Sequence, residues 1–193
     1  MMLTWNDVLA VPGFSSASNR QVLRASVATI PRPKILEVGS YKGSTGVAMC
    51  YGNDPVCIHM VDNHSEFGDT RQELADTCQR FGLPATIHDR DWFAPLSADV
   101  FGGTLFNVYL YDGPHEEERH AAELAVAWPH LADEFLYIVD DYSWPQVRAG
   151  CDAGLLAMSD RLTVRSRNIY ESTTLNDAAG YWNGLLVAWC EKR

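Results

Sequence analysis

The sequence lacks any pattern that would pair its cysteines or bind zinc. Its five cysteines are scattered through 193 residues, and no two of them form a C-x-x-C pair. In "HEEERH", His115 and His120 are five residues apart, about 140° around a helix, so the H-E-x-x-H zinc motif is not formed. An odd, dispersed set of cysteines is typical of reduced thiols. We therefore expect a cytoplasmic protein without a disulfide framework or a structural zinc site.

Long apolar runs are also missing. No stretch reaches the roughly eighteen apolar residues of a membrane span. The first segment, "MMLTWNDVLAVPG", lacks the basic start and long apolar run of a secretory signal. A hydrophobic fraction of 47% nevertheless indicates a globular core. We predict no membrane partner and a single domain over residues 1–193, of which 1–33 form a helical N-terminal extension.

Basic residues are scarce. The chain has 15 lysines and arginines against 25 acidic residues, a net charge of −10. This charge opposes binding to a nucleic-acid backbone. We expect a small or neutral substrate and no nucleic-acid partner, while the sequence leaves open whether the protein is a homo-oligomer.

The glycine-rich stretch "ILEVGSYKGSTG" lacks both common phosphate-binding motifs. Its glycines, Gly39, Gly43 and Gly46, do not follow the G-x-G-x-x-G spacing of dinucleotide-binding loops. A P-loop would need lysine and then serine or threonine directly after its last glycine, and the only lysine here precedes Gly43. Glu37 would also repel a phosphate placed beside it. The stretch is better suited to a cationic ligand.

The chain does contain a regular alternation of apolar runs and amphipathic stretches. Two helical pieces precede residue 30, and five strand–helix units then end in a pair of strands. Strands are predicted at 34–40, 56–62, 84–89, 104–112 and 135–141, helices at 44–51, 70–82, 115–128 and 145–159, and the final strands at 162–171 and 181–192. This order predicts a doubly wound α/β sheet with ligands at the carboxyl ends of its strands.

Acidic residues stand at the predicted carboxyl end of each of the first five strands. They are Glu37, Asp62, Asp89, Asp91, Asp112, Asp140 and Asp141. Any one of them could simply cap the next helix or lie in a solvated turn. An acid at all five ends indicates a shared site.

These residues give the chain, from Lys34 to Arg193, a resemblance to the class I S-adenosylmethionine-dependent methyltransferases. The first motif of that family is an acidic residue, one residue, a glycine and a further glycine in the loop, matched here by "EVGSYKG". S-adenosylmethionine carries a sulfonium and an ammonium group but no phosphate, which suits an acidic loop. The resemblance implies a Rossmann-like, doubly wound sheet of seven strands, mostly parallel with the last strand antiparallel, and helices on both faces.

The resemblance also implies which residues bind the cofactor. An acid after strand two holds the ribose hydroxyls in that family, and it corresponds to Asp62. The acid on the adenine side corresponds to Asp91, with Trp92 available to pack on the ring. The implied cofactor-binding set is Glu37, Gly39, Ser40, Tyr41, Lys42, Gly43, Ser44, Asp62, Asn63, Asp91, Trp92 and Asp112.

A narrower resemblance rests on "YDGPHEEE" and "VDDYSW". These segments are similar to those of metal-dependent O-methyltransferases that act on catechols, caffeoyl-coenzyme A or sugar hydroxyls. The resemblance implies Mg²⁺ or another divalent cation, held by Asp112, Asp140 and Asp141. Oxygen ligands of this kind suit Mg²⁺ or Ca²⁺ better than zinc. Alternatively, Asp140 and Asp141 only shape the turn that follows strand five.

The general base is less clear from the sequence, because sugar-methylating relatives often have D-G-D where this chain has Asp112, Gly113 and Pro114. His115 is the nearest titratable residue, and a histidine with an ordinary pKa near 6.5 can serve as a base. The predicted catalytic residues are therefore His115 and Asp112. Alternatively, His115 only begins the helix that follows Pro114.

The sequence thus predicts methyl transfer from S-adenosylmethionine to a hydroxyl of a small molecule or sugar, assisted by Mg²⁺. Two alternatives are a metal-independent N- or carboxyl-methyltransferase on the same fold and a catalytically silent protein that only binds S-adenosylmethionine.

Overall fold

The computed structural model of the chain describes residues 2–97, 99–174 and 176–193. It contains one sheet of seven strands. The strands are β1 (Lys34–Val38), β2 (Cys57–Asp62), β3 (Ala85–Asp89), β4 (Phe106–Tyr111), β5 (Leu131–Asp140), β6 (Leu162–Tyr170) and β7 (Leu185–Lys192). Their spatial order is β3-β2-β1-β4-β5-β7-β6. Strands β1 to β5 pair in parallel, and β7 is antiparallel to both of its neighbours. The predicted fold class is confirmed.

Six α-helices accompany the sheet. They are α1 (Trp5–Leu9), α2 (Ala17–Val27), α3 (Ser44–Cys50), α4 (Arg71–Phe81), α5 (Glu117–Ala127) and α6 (Pro145–Ala157). A capping box between Thr4 and Asp7 begins α1, and the Ser16 hydroxyl accepts a hydrogen bond from the backbone N–H of Asn19 at the start of α2. Gly82, in the left-handed region, ends α4. No helix in the described part of the chain is both long and apolar enough to cross a bilayer.

The crossover from β3 to β4 contains no helix. The count of five strand–helix units is therefore too high by one, while the predicted helices, none of which falls between residues 89 and 104, agree with the turns and irregular chain at 90–97 and 99–105. Pro95 and the left-handed glycines Gly102 and Gly103 interrupt any helical stretch there. Trp92 and Phe101 fill the place of a helix by packing into the core, where they are 3% and 2% exposed.

The core lies on both faces of the sheet because the central strands are apolar on both sides. On one face, Val108 and Leu110 of β4 pack with apolar residues of α2, α3 and α4. On the other, Tyr109 and Tyr111 pack with α5 and α6. Helices therefore cover both faces, and the carboxyl ends of the strands are left as the place for a site.

Candidate functional site

A cavity of about 330 Å³ lies over the carboxyl ends of β1, β2, β4 and β5. Most of the residues that the sequence predicts for the site line this cavity, namely Gly39, Ser40, Tyr41, Ser44, Asp62, Asn63, Asp91, Trp92, Asp112, His115 and Asp141. The structure does not place four others in the lining: Glu37, Lys42, Gly43 and Asp140.

The floor of the cavity is formed where the loop after β1 meets the loop after β4. The backbone N–H of Asp112 donates to the carbonyl of Val38 over 2.9 Å. Gly39 has a φ of +84°, and a Cβ added there would lie 1.7 Å from the carbonyl oxygen of Asp112. Only glycine fits this close approach. The first glycine of the loop therefore brings β1 and β4 together rather than cradling a phosphate.

Asp62, at the end of β2, is fixed by the loops on both sides of it. Its Oδ2 accepts a hydrogen bond of 2.6 Å from the backbone N–H of Tyr41, and its Oδ1 accepts one of 2.7 Å from that of His64. The ring of His64 is buried and its Nδ1 lies 2.9 Å from the hydroxyl of Thr70. Each carboxylate oxygen can accept a further hydrogen bond, so Asp62 can still bind ligand hydroxyls.

Glu37 lies beneath the cavity rather than in its wall. It is fully buried, and its Oε1 accepts a hydrogen bond of 2.5 Å from the Thr45 hydroxyl on α3. Gly46 leaves room for the other oxygen, since a Cβ there would lie 2.7 Å from Oε2. Burial raises the pKa of Glu37 to about 7, although the hydrogen bond from Thr45 opposes this shift. Glu37 thus links β1 to α3 below the ligand space.

Two more residues of the predicted cofactor-binding set, Lys42 and Gly43, have structural roles: Lys42 pairs with another side chain, and Gly43 precedes the first turn of a helix. The ammonium group of Lys42 lies 3.3 Å from Oε1 of Glu73 on α4, and Lys42 is not among the residues that line the cavity. Gly43 adopts a φ of 86° as the residue that begins α3. Asp91 lines the cavity and accepts a 2.8 Å hydrogen bond from the backbone N–H of Phe93, which fixes the turn that carries Trp92.

The acidic end of the cavity combines Asp112, His115 and Asp141. One ligand-capable atom from each lies within 4.8 Å of the others. Nε2 of His115 is 2.7 Å from Oδ2 of Asp141. Asp141 has a φ of 55°, an uncommon conformation that is frequent at functional sites.

Asp140 lies outside this group. It is 3% exposed, and its Oδ1 accepts a long hydrogen bond of 3.4 Å from the Asn19 amide on α2. The same amide donates to the carbonyl of Trp182 over 3.0 Å. Asp140 therefore joins the N-terminal extension to the sheet. Among the described residues, the group that could hold a metal combines Asp112 and Asp141 with His115, and the set that includes Asp140 stays a prediction.

Burial and mutual repulsion govern ionisation at this end. Burial, followed by the nearby charges of Asp140 and Asp141, raises the pKa of Asp112 well above its ordinary value. Burial and the charge of Asp141 likewise raise the pKa of Asp140. Burial acts to lower the pKa of His115, but its contact with the Asp141 carboxylate outweighs burial and the pKa is raised. A cation bound at this end would stabilise the ionised form of these carboxyl groups and offset their mutual repulsion.

An aromatic cluster that no sequence pattern predicts lies at the rim of the cavity. Phe14, Tyr41 and Phe67 come from three separate segments, with ring centroids 4.9 to 5.5 Å apart. Phe14 is 50% exposed and Phe67 53% exposed. Each is the single aromatic residue of its polar loop, so no hydrophobic periodicity in the sequence indicates that the three rings form a cluster. Exposed aromatic rings that line a cavity indicate surface that a ligand or a closing loop covers.

No protein-family model and no curated protein sequence matches the chain. Several solved structures, however, are similar to it. An O-methyltransferase from Bacillus cereus in complex with SAH has 15% identity and a TM-score of 0.64, over 96% of this chain and 86% of that one. The O-methyltransferase TomG from Streptomyces achromogenes, in complex with SAM, has 15% identity and a TM-score of 0.63, over 90% and 79%.

The chain has the class I methyltransferase fold. A protein from Klebsiella pneumoniae regarded as an O-methyltransferase is similar at 18% identity and a TM-score of 0.66, over 91% of this chain and 81% of that one. Similarity at these identities establishes the fold, and the chemistry has to be argued from the site.

Proposed function

We propose that this protein transfers the methyl group of S-adenosylmethionine to a hydroxyl of a small molecule or sugar. The observation that carries the proposal is the lining of the cavity, where Asp62, Asp112 and Asp141 converge from the ends of β2, β4 and β5. A site dominated by carboxylates suits a cofactor with two positive groups and no phosphate.

The residues present fit this cofactor. Asp62 is held in place and keeps free lone pairs for the two ribose hydroxyls. Asp91 and Trp92, which the family resemblance assigns to adenine, line the cavity. Ser40 lines the cavity, and its buried hydroxyl can donate either to the Glu37 carboxylate below it or to a bound ligand.

The chemistry that the cofactor would supply is an electrophilic methyl group. His115, which lines the cavity, would accept the proton of the acceptor hydroxyl at Nδ1, the ring nitrogen that Asp141 does not contact. Asp141, 2.7 Å away, would orient the ring and stabilise its protonated form. The expectation that the acceptor is not a nucleic acid remains a prediction based on charge.

Calorimetry and product analysis test the proposal together. S-adenosylhomocysteine should bind with a micromolar-range Kd, and NAD should not bind. A panel of hydroxylated acceptors should yield products that are heavier by one methylene. Methylated nitrogen or carboxyl products would favour the alternative transferase, and binding without turnover would favour a silent binding protein.

A metal-assisted reaction is the second candidate, and the group formed by Asp112, His115 and Asp141 favours it. Two carboxylates and an imidazole suit a divalent ion such as Mn²⁺ or Mg²⁺. Such an ion would bind the acceptor hydroxyl and lower its pKa.

Thermal unfolding tests for the ion without relying on activity. Millimolar Mn²⁺ or Mg²⁺ should raise Tm by mass action, and Asp141→Ala should abolish the gain. Asp140→Asn should keep it, since Asp140 lies outside the group. An unchanged Tm, together with activity that is indifferent to EDTA, would leave His115 to act without metal.

A further inference from the structure

His115 stands between the main cavity and a second, shallower recess. The recess is lined by Ser65, Glu66, Pro114, His115, Glu116 and Gln146. The first four of these also line the main cavity. The two spaces therefore adjoin at the residue that is proposed to accept the proton. If the methyl donor occupies the main cavity, as the proposed function requires, the recess is the route by which an acceptor reaches His115.

The recess is assembled from three separate parts of the fold. Glu66 lies in the loop after β2, Glu116 is the residue before the first turn of α5, and Gln146 lies in the first turn of α6. All three are exposed. Their polar groups are therefore free to bind a solute.

The recess carries charge of one sign. Glu66 and Glu116 flank His115, and no lysine or arginine of the described residues lines the recess. In the adjoining cavity Arg90 is the one lining lysine or arginine among those residues, and it donates to the carbonyls of Ala94 and Pro95 over 3.1 and 2.9 Å. Clefts lined by one sign of charge concentrate solutes of the opposite sign and repel like ones.

We infer that the recess around His115 is the acceptor subsite, and that it selects a polar acceptor that is uncharged or cationic, such as a hydroxylated ring bearing an ammonium group. Glu66 and Glu116 bind or attract the positive group, and the Gln146 amide can donate to and accept from hydroxyls. Acceptors that carry carboxylate or phosphate are disfavoured. This inference rests on the proposed function and adds the class of acceptor.

Three pyranoses of one scaffold test the inference: glucosamine, glucose and glucuronate, with positive, zero and negative charge at pH 7. Their binding is measured by ligand-detected NMR on protein saturated with S-adenosylhomocysteine. Glucosamine should bind most tightly and glucuronate most weakly. Each exposed charge should change affinity about two- to fivefold, so the Glu66→Gln, Glu116→Gln double variant should reduce the preference for glucosamine over glucuronate about tenfold.

Glu118→Gln is the matched control, because Glu118 lies in the first turn of α5, is exposed and does not line the recess. It should leave the preference unchanged, and 0.5 M NaCl should weaken the preference in the unaltered protein. Glucuronate binding as tightly as glucosamine, no binding of any of the three sugars, or a double variant with unchanged selectivity would overturn the inference. Calorimetry on the same sample separates the two ideas, because failure of S-adenosylhomocysteine to bind would contradict the proposed function itself.

Discussion

At the scale of single residues, Asp62 is the anchor on which two loops converge. Its carboxylate accepts backbone N–H groups from Tyr41 and His64, so it has the rigidity that a ribose-binding group needs. A charge-assisted hydrogen bond contributes about 1.5 to 3 kcal/mol when the partner would otherwise be unsatisfied.

Asp62→Asn should therefore weaken S-adenosylhomocysteine binding by about 1 to 3 kcal/mol, as measured by calorimetry. Asp76→Asn on the exposed surface of α4 serves as a control and should bind normally. An unchanged Kd in the Asp62 variant, with Tm also unchanged, would show that the cofactor does not contact this carboxylate.

His115 is the residue whose ionisation should control the rate. Only the neutral ring accepts a proton, so kcat/KM should rise with pH. The midpoint should lie above 6.5, because the Asp141 contact raises the pKa of His115 although burial opposes it. Asp141→Asn removes the carboxylate charge and should move the midpoint to lower pH, while His115→Ala should remove the titration. If kcat/KM has the same pH dependence in Asp141→Asn as in the unaltered protein, Asp141 does not set the pKa of His115.

At the scale of elements, the 63–68 loop is fixed at its root and weakly held at its tip. His64 is tied to Asp62 and Thr70 at the root, whereas residues 65–69 are exposed. Phe67 at the tip contacts Phe14 and Tyr41. Aromatic pairs contribute about 0.5 to 1.5 kcal/mol each, so the loop can open with a modest cost and close over the cavity.

Phe67→Ala should therefore speed the dissociation of S-adenosylhomocysteine by about tenfold, since two aromatic pairs worth about 1 to 3 kcal/mol are lost. Stopped-flow fluorescence can follow this, because Trp92, Trp144 and Trp182 line the cavity. Leu156→Ala, a 74% exposed site on α6, should have no effect. Equal rates in Phe67→Ala and the unaltered protein would mean that this loop does not retain the ligand.

At the scale of the whole molecule, a buried carboxyl makes stability depend on pH. Glu123 of α5 lies inside the core, where it accepts hydrogen bonds from the hydroxyls of Tyr109 and Tyr137. Burial raises its pKa to about 8, and the two hydrogen bonds act in the opposite direction. From pH 4.5 to about 8 the folded state keeps a proton that the unfolded chain has lost, so the free energy of unfolding falls as pH rises.

The contribution of Glu123 across this range is about 5 kcal/mol, since one pKa unit corresponds to about 1.4 kcal/mol. Urea unfolding should show greater stability at pH 5.5 than at pH 8.5. Glu123→Gln should reduce this dependence and leave the part due to Glu37, whose pKa is raised to about 7, and to Asp112 and Asp140, whose pKa values are also raised by burial. The surface change Glu118→Gln should not alter it, and an identical slope in Glu123→Gln would assign the effect to other groups.

Much of the fold could be read from the chain because its signals are local. The apolar run of β4, the glycine that ends α4 and the acids after each strand are visible in sequence order. No helix is predicted between residues 89 and 104 and none forms there, but the sequence does not show that Trp92 and Phe101 of this segment pack into the core. The start of β5 at Leu131 was missed, since two consecutive exposed acids, Asp133 and Glu134, interrupt the apolar run before Phe135.

The sequence by itself determined the order of the strands along the chain, the acidic character of the site and the mismatch with phosphate-binding loops, because these depend on residue type and spacing. Only the tertiary structure decided which acids face the cavity. Glu37 and Asp140 lie next to lining residues in sequence, yet Thr45 of α3 and Asn19 of α2 hold their side chains elsewhere. These hydrogen-bond partners lie 8 and 121 residues away in the chain. Such contacts decide whether an acidic side chain faces the cavity or the core.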